Sequence, residues 1–340
     1  MFKWTSQKAL EIYASGLVGG NKKDTMPIES AFRSFIEHVN LGRWDELAQY
    51  VPQEGRVTYN RREYHGDEFL MRMRERIGAL PDGAFEVDTS IGDEEAQVVA
   101  VRIIWRTIVP EGEDMEFMPG LEGIVLSGGG GGRGSSVSAK QRLTGVHHLF
   151  CWLKDGQVSD IETIGDVDGV FLDDDVSSTT DSTAVSVSDD ASTRSTSKAD
   201  LSSNYRAYID CINKRTMEAD LPRFCHSSVW HNNRQLSLSQ YRLLMEDAQR
   251  AIPDIRFDVQ SLIVDEDSQR LAVRLEFTGV PALKWAGVEP SGKAVAFSEH
   301  VFYWLQDGRI HKVLSLVDLA TYREQVRGLG LRSPPIVRDQ

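Results

Sequence analysis

Three side chains lie where the sequence predicts strands and could together move protons. Asp318 ends an apolar run, LSLV-D-LA, so its carboxyl group must reach solvent or face a cavity with a partner. Desolvation in a cavity raises the pKa of a carboxyl group and makes it a better base near neutral pH. His300 shares a strand face with aromatic residues, and His231 lies in the segment VWHNN. The set predicts general acid/base chemistry, with Asp318 as the base and His300 or His231 as the donor to a developing oxyanion.

Each of these residues also has a structural interpretation. Asp318 precedes LATYREQV, and aspartate is a favoured N-cap of a helix. A histidine on an aromatic face is usually a core residue. Glu299 and His300 are adjacent, so only one of them can point into the interior from a strand. Arg274 and Glu276 share a strand face, and we interpret them as a solvated ion pair.

An internal duplication gives these residues counterparts in the first half of the chain. Phe85 and Phe257 lie in matching segments 172 residues apart, and His148 and His300 in matching segments 152 residues apart. The difference of 20 residues indicates an insertion in the first copy, around a glycine-rich run. Loop insertions of this kind are well tolerated.

In the first copy, Asp166 and His148 occupy the positions of Asp318 and His300, and Tyr59 occupies the position of His231. The sequence GDVDG around Asp166 replaces VDLAT, so the helix that should follow is not indicated. We therefore expect one active copy and one structural or regulatory copy.

The elements that must position these residues follow the same order in both copies. Apolar residues at i, i+3, i+4 and i+7 predict an opening helix, and a short helix, a strand, a helix and several strands follow. Asp155-Gly156 and Asp307-Gly308 are strong two-residue hairpin signals. Ser239 can cap the helix that follows it. Helices first and antiparallel strands later indicate an α+β fold.

Composition shifts divide the chain further. A segment dominated by Ser, Thr and Asp cannot bury enough apolar surface to fold, so it predicts a flexible linker. The predicted units are an N-terminal extension at 1–27, a first domain at 28–172 with a Gly-rich insertion near 111–140, the linker at 173–200, a second domain at 201–328 and a tail at 329–340.

The segment GVPALKWAGVEPSGKAVAFSEHVFYWLQDGRIHKVLSLVDLATYREQV resembles the closing half of the SnoaL-like polyketide cyclase family, within the NTF2-like superfamily. The first copy resembles it through WLKDGQVSDIETIGD. The resemblance implies two cone-shaped domains, each a curved antiparallel sheet wrapped by helices around an apolar pocket. It places the catalytic acid at Asp318, with Asp166 as its counterpart. The residues expected to contact a substrate are Trp285, Phe302, Trp304, Tyr59 and Glu299.

These features favour a cofactor-free cyclase or isomerase acting on a polyketide-like or terpenoid-derived small molecule in secondary metabolism. A dehydratase of the same superfamily would use the same residues to eliminate water. A non-catalytic protein for small-ligand binding or dimerisation is the alternative from another class. No histidine or cysteine spacing suits a metal, so neither a metal nor another cofactor is expected.

Charge and composition limit the partners. Lys and Arg number 38 against 51 Asp and Glu, a net charge of −13, so the sequence has no basic footprint for nucleic acid or an anionic membrane. The start of the chain lacks a continuous apolar stretch of signal-peptide length, which favours a cytoplasmic protein. We expect a small-molecule substrate and an intramolecular pseudo-dimer of the two domains packed sheet against sheet. The sequence is also compatible with a homodimer of whole chains.

Overall fold

A computed structural model describes residues 26–51, 55–59, 62–78, 82–109, 141–165, 171–172 and 196–328. The Gly-rich insertion, most of the predicted linker, the tail and Asp166 lie outside the described residues. The described chain forms two halves, and each half packs helices on one sheet. This confirms the predicted α+β class.

The first half follows the predicted order of elements. Its elements are α1 (Ile28–Asn40), a 3-10 helix (Trp44–Gln49), β1 (Arg56–Tyr59), β2 (Arg62–His65), α2 (Gly66–Gly78), β3 (Ala84–Asp93), β4 (Val98–Val109), β5 (Gln141–Lys154), β6 (Gln157–Gly165) and β7 (Phe171–Leu172). The apolar stripe of α1 is buried against the sheet and forms much of the core of this half.

The second half repeats this order with a helix at each end. Its elements are α3 (Lys198–Asn213), α4 (Met217–Phe224), β8 (Cys225–His231), β9 (Arg234–Ser237), α5 (Leu238–Ala251), β10 (Arg256–Asp265), β11 (Arg270–Gly279), β12 (Val295–Gln306), β13 (Arg309–Val317) and α6 (Leu319–Arg327). Helix α3 begins three residues before the predicted domain boundary at 201.

Strand order and register show the duplication directly. The first sheet runs β2-β1-β6-β5-β4-β3, with β7 added beside β5, and the second runs β9-β8-β13-β12-β11-β10. Phe85 pairs with Trp105 and Phe257 with Phe277, and a bulge follows at the same place in both strands. Most pairs are antiparallel, but β1 joins β6 and β8 joins β13 in parallel. Phe85 and Phe257 therefore occupy equivalent positions, as predicted.

Local sequence explains the turns. Asp307 and Gly308 both have positive φ, 51° and 71°, as a type I′ hairpin requires, and the first-half pair does the same. Helix α5 begins earlier than predicted, because its cap is Ser237 and not Ser239. The Ser237 hydroxyl accepts from the Gln240 N–H at 3.3 Å, and the Gln240 side chain accepts from the Ser237 N–H at 2.8 Å. This is a complete capping box.

The two sheets pack against each other through the faces that point away from their own helices. Their shared apolar cluster consists of Ile91, Val98, Ala100 and Phe150 from the first half and Ile263, Ala272, Phe302 and Leu314 from the second. At its centre His148 Nδ1 donates to the carbonyl of His300 at 2.9 Å, and His300 Nδ1 donates to the carbonyl of His148 at 3.1 Å. Equivalent residues thus contact each other reciprocally, as across a pseudo-two-fold axis.

A buried ion pair crosses the same contact. Arg274 Nε lies 2.5 Å from Glu162 Oε2 in the first half, and Arg274 Nη2 lies 3.8 Å from Glu276 Oε2. The side chains of Arg274 and Glu276 are only 9% and 2% exposed. The interpretation of Arg274 and Glu276 as a solvated pair was wrong, since the other half of the chain covers this strand face.

The histidine pair predicts a pH dependence of stability. Burial lowers the pKa of His300 to about 3, against 6.5 for a free histidine, so it is neutral when folded. Below pH 6.5 the unfolded chain binds the proton and the folded chain does not, so stability is lost as the pH falls. His300→Gln keeps a donor for the His148 carbonyl but cannot titrate.

Between pH 6.5 and 5.5, the fall in unfolding free energy should be about 1 kcal/mol smaller in His300→Gln than in the wild type. Denaturant titrations at the two pH values measure this difference. An equal fall in both proteins would contradict the assignment of a neutral, buried His300.

Candidate functional site

The strand alternation of β5 and β12 decides which side chains face each interior. His147 and Leu149 line a cavity in the first half, so His148 between them faces the other sheet. In β12, Glu299 lies at the position of His147 and points into its own half, where it contacts Ser315. His300 faces the opposite way.

Four predicted site residues therefore lie between the halves and not in a cavity. His300 and His148 are 1% exposed and occupy the contact between the sheets. Phe302 packs edge-on against His148 at 5.1 Å, and Trp304 joins the same cluster. We expected His300 and His148 to be catalytic and Phe302 and Trp304 to contact a substrate; the structure places all four on a sheet face that the other half of the chain buries.

Glu299 is the acid that points into the second half. Its carboxylate accepts a hydrogen bond from the Ser315 hydroxyl on the neighbouring strand β13. Burial raises the pKa of Glu299 to about 7, and the hydrogen bond from Ser315 opposes part of that rise. A carboxyl group with this pKa can both accept and return a proton near neutral pH.

Four buried tyrosines share this interior. Tyr205 donates to Tyr303 at 3.3 Å, and the hydroxyls of Tyr208 and Tyr241 are 3.0 Å apart. Burial raises the pKa of all four, so their hydroxyls stay protonated. The charge of Glu299 adds to the rise for Tyr205, Tyr241 and Tyr303, which places these donors within its field.

His231 lies at the end of β8, on the interior side. Its ring centroid is 5.8 Å from that of Tyr241, and its backbone pairs with Val313 of β13. Desolvation lowers the pKa of His231 to about 4, with a smaller contribution from Arg234. The imidazole is therefore neutral at physiological pH and has one N–H to donate.

Asp318 is placed by its backbone at the start of α6. Its carboxylate accepts from the Thr321 N–H at 3.0 Å, which is the N-cap interaction that the sequence left open. Trp285 is partly buried and packs edge-on against Tyr322 at 4.8 Å, beside the same helix. Asp318 directly follows Val317, the strand partner of Glu299, and Trp285 packs against the core cluster that contains the four tyrosines.

The first half contains a cavity of about 190 Å³. Its lining is mostly aromatic and aliphatic: Phe32, Phe35, Ile36, Val39, Tyr59, Tyr64, Phe69, Arg72, Met73, Ile77, Phe85, Ile103, Trp105, His147, Leu149, Ile161 and Thr163. Tyr59 lies in this lining, in the interior as predicted from its match to His231. His147 and Thr163 occupy the positions of Glu299 and Ser315.

Sequence reasoning missed Ser315 and the tyrosine cluster. Ser315 lies within the apolar run VLSLV and carries no motif of its own. The duplication could have indicated it, since Thr163 is a second hydroxyl residue at the matching position of the first copy.

In the described part of the chain, no group of three His, Cys, Asp or Glu residues could hold a metal ion. There, too, no helix combines the length and the apolar character that a membrane span needs.

Comparison with known proteins relates the second half of the chain to a known family. Residues 203–326 match the model of the SnoaL-like polyketide cyclase family. A SnoaL-like polyketide cyclase from Agrobacterium tumefaciens is 35% identical over 98% of its own chain and 38% of this one, with a TM-score of 0.35. The chain belongs to the SnoaL-like polyketide cyclase family. A comparison with curated proteins gave no match.

Other solved structures that match this chain are less similar in sequence. TsrD from Streptomyces laurentii is 16% identical, and the match covers 38% of this chain and 97% of TsrD with a TM-score of 0.36. IdmH from Streptomyces antibioticus is also 16% identical, over 38% of this chain and 98% of IdmH, with a TM-score of 0.34. Each match covers less than two fifths of this chain. Membership of the SnoaL-like family suggests cyclase or isomerase chemistry.

Proposed function

We propose that this SnoaL-like protein is a cyclase or isomerase that uses Glu299 as its general base. The observation that carries the proposal is the inward-facing Glu299 carboxylate, held by Ser315 and close to tyrosine hydroxyls within the half that matches the family model. Such a set pairs a base with donors in a desolvated interior. That is the arrangement needed to form and stabilise an enolate.

The proposed reaction begins when the Glu299 carboxylate takes a proton from a carbon beside a substrate carbonyl. The electron pair of the C–H bond moves to the carbonyl oxygen, and a tyrosine hydroxyl or the neutral His231 N–H donates to that oxyanion. In a cyclase the enolate carbon then attacks a second carbonyl of the same substrate and forms a C–C bond. The protonated Glu299 returns its proton to the new alkoxide, so the step needs no further reactant.

Asp318 is a weaker candidate for the base. Its carboxylate already accepts from the Thr321 N–H through Oδ1, so the structure shows a helix-capping role for this side chain. Glu299 is held by a hydroxyl, which can rotate and remain bonded while the carboxyl group changes its protonation state.

The test uses a diketone that can close a ring by an intramolecular aldol reaction. The full chain is incubated in D₂O with 1-phenylhexane-1,5-dione, whose methyl ketone enolate can attack the aryl carbonyl to form a six-membered ring. Proton NMR follows deuterium entry beside the carbonyls, and mass spectrometry follows the product. Loss of the methyl ketone signal in the NMR spectrum, with a mass unchanged apart from deuterium, supports cyclisation, whereas loss of water indicates the dehydratase alternative. Deuterium entry no faster than in buffer would contradict the proposal.

A further inference from the structure

We propose that the cavity of the first half is a separate, non-catalytic binding site for an uncharged ring compound that carries a hydrogen-bond acceptor, such as an aryl ketone. This proposal does not depend on the chemistry of Glu299. It rests on three features of the cavity. A histidine replaces the glutamate of the second half, the volume and the apolar lining suit a ring compound, and a buried N–H group has no hydrogen-bond partner among the described residues.

The first half has no counterpart of the Glu299 carboxyl group, so the acid/base chemistry proposed for the second half is absent from this cavity. His147 occupies the position of Glu299, and burial lowers its pKa to about 4, so it is uncharged near neutral pH. Among the described residues that line the cavity, none is a carboxylate. The one cationic side chain there, Arg72, already pairs with Glu68 at 2.8 Å. A charged ligand would find no free counter-charge, so the cavity selects a neutral one.

The volume sets the size of the ligand. An apolar cavity of about 150 Å³ is large enough to bind benzene. The 190 Å³ present here accommodates an aromatic ring with a small substituent. Phe69, Met73 and Leu149 line it with aromatic, thioether and aliphatic surface, which favours such a ring over water.

Trp105 supplies the polar specificity. Its indole is 2% exposed, and its Nε1 has no hydrogen-bond partner among the described residues. A buried donor without an acceptor costs free energy, which an acceptor on a ligand would recover. The matching residue of the second half is Phe277, which has no such donor. The first half alone thus combines the donor with the neutral cavity.

The test compares two probes of nearly the same shape, acetophenone and cumene, by calorimetry on the full chain. Acetophenone has a carbonyl oxygen where cumene has a methyl group. We expect the ratio of acetophenone affinity to cumene affinity to be about 3- to 10-fold higher in the wild type than in Trp105→Phe, the contribution of one hydrogen bond. Trp105→Phe installs the second half's own residue, and it should weaken acetophenone binding by the same factor while cumene binding stays within about twofold.

A second variant locates the site. Ile161→Phe fills the cavity from β6 and should abolish binding of both probes, with a thermal melt confirming that the variant folds. Glu299→Gln should bind both probes as the wild type does. Absence of binding to the wild type, or a ratio of the two affinities that Trp105→Phe leaves unchanged, would each overturn the proposal.

Discussion

Glu299→Gln should lower the rate of enolisation by about 10²- to 10⁴-fold, the range expected when a general base is removed. Glutamine keeps the size of the side chain and can still accept from Ser315, but it cannot take up a proton. In the wild type the rate should rise with pH through about 7, as the Glu299 carboxyl group loses its proton. Deuterium entry into the diketone, measured from pH 5 to 9, gives both results.

The same variant should be more stable than the wild type at pH 8. The pKa of Glu299 is raised to about 7 from 4.5, so between these values the folded chain holds a proton that the unfolded chain has lost. Stability therefore falls as the pH rises through this window, by about 3 kcal/mol at pH 8. Lower activity together with higher stability excludes unfolding as the reason for the loss.

Asp318→Asn is the matched control, because asparagine caps a helix as well as aspartate does. We expect nearly unchanged turnover and stability for this variant. A large loss of turnover in Asp318→Asn, with Glu299→Gln still active, would transfer the role of base to Asp318 and contradict the proposed function.

The sequence alone could not show whether Glu299 or His300 faces the interior of the second half. Strand alternation established that only one of the two faces the interior, but the segment FSEHVFYWL is apolar on both faces. In a sheet with one solvated face, the polar positions show which side is outside. Here the outer face is buried by the other half of the chain, so the pattern alone could not assign the direction.

Features that depend on local sequence were predicted well. The hairpins at Asp155-Gly156 and Asp307-Gly308 need positive φ at both turn residues, which Asp-Gly pairs adopt readily. The duplication gave the strand equivalence, because matching motifs keep their spacing on either side of the insertion. Long-range contacts such as Arg274 to Glu162 depend on how the two halves pack, and no local pattern encodes that.

Arg274→Met should destabilise the chain by about 3 to 5 kcal/mol, the cost of removing one partner from a buried ion pair. Glu162 would lose its 2.5 Å contact, and Glu276, 2% exposed, would lose the neighbouring cation. Arg102 is the counterpart of Arg274 and pairs with Asp88, whose side chain is 35% exposed. Water can solvate Asp88, so Arg102→Met should cost only about 1 kcal/mol. Denaturant titration at pH 7.5 measures both variants.

A triple variant separates the loss of the charge pair from the loss of arginine packing. Leu314 and Ile104 are the counterparts of Glu162 and Glu276 in the opposite halves, so Glu162→Leu and Glu276→Ile introduce side chains that the repeat already accommodates. Combined with Arg274→Met, they replace the buried charges by apolar groups, a change that is often neutral or stabilising. We expect the triple variant to recover most of the stability. If it is as unstable as Arg274→Met alone, packing of the arginine stem, and not the uncompensated charge, accounts for the loss.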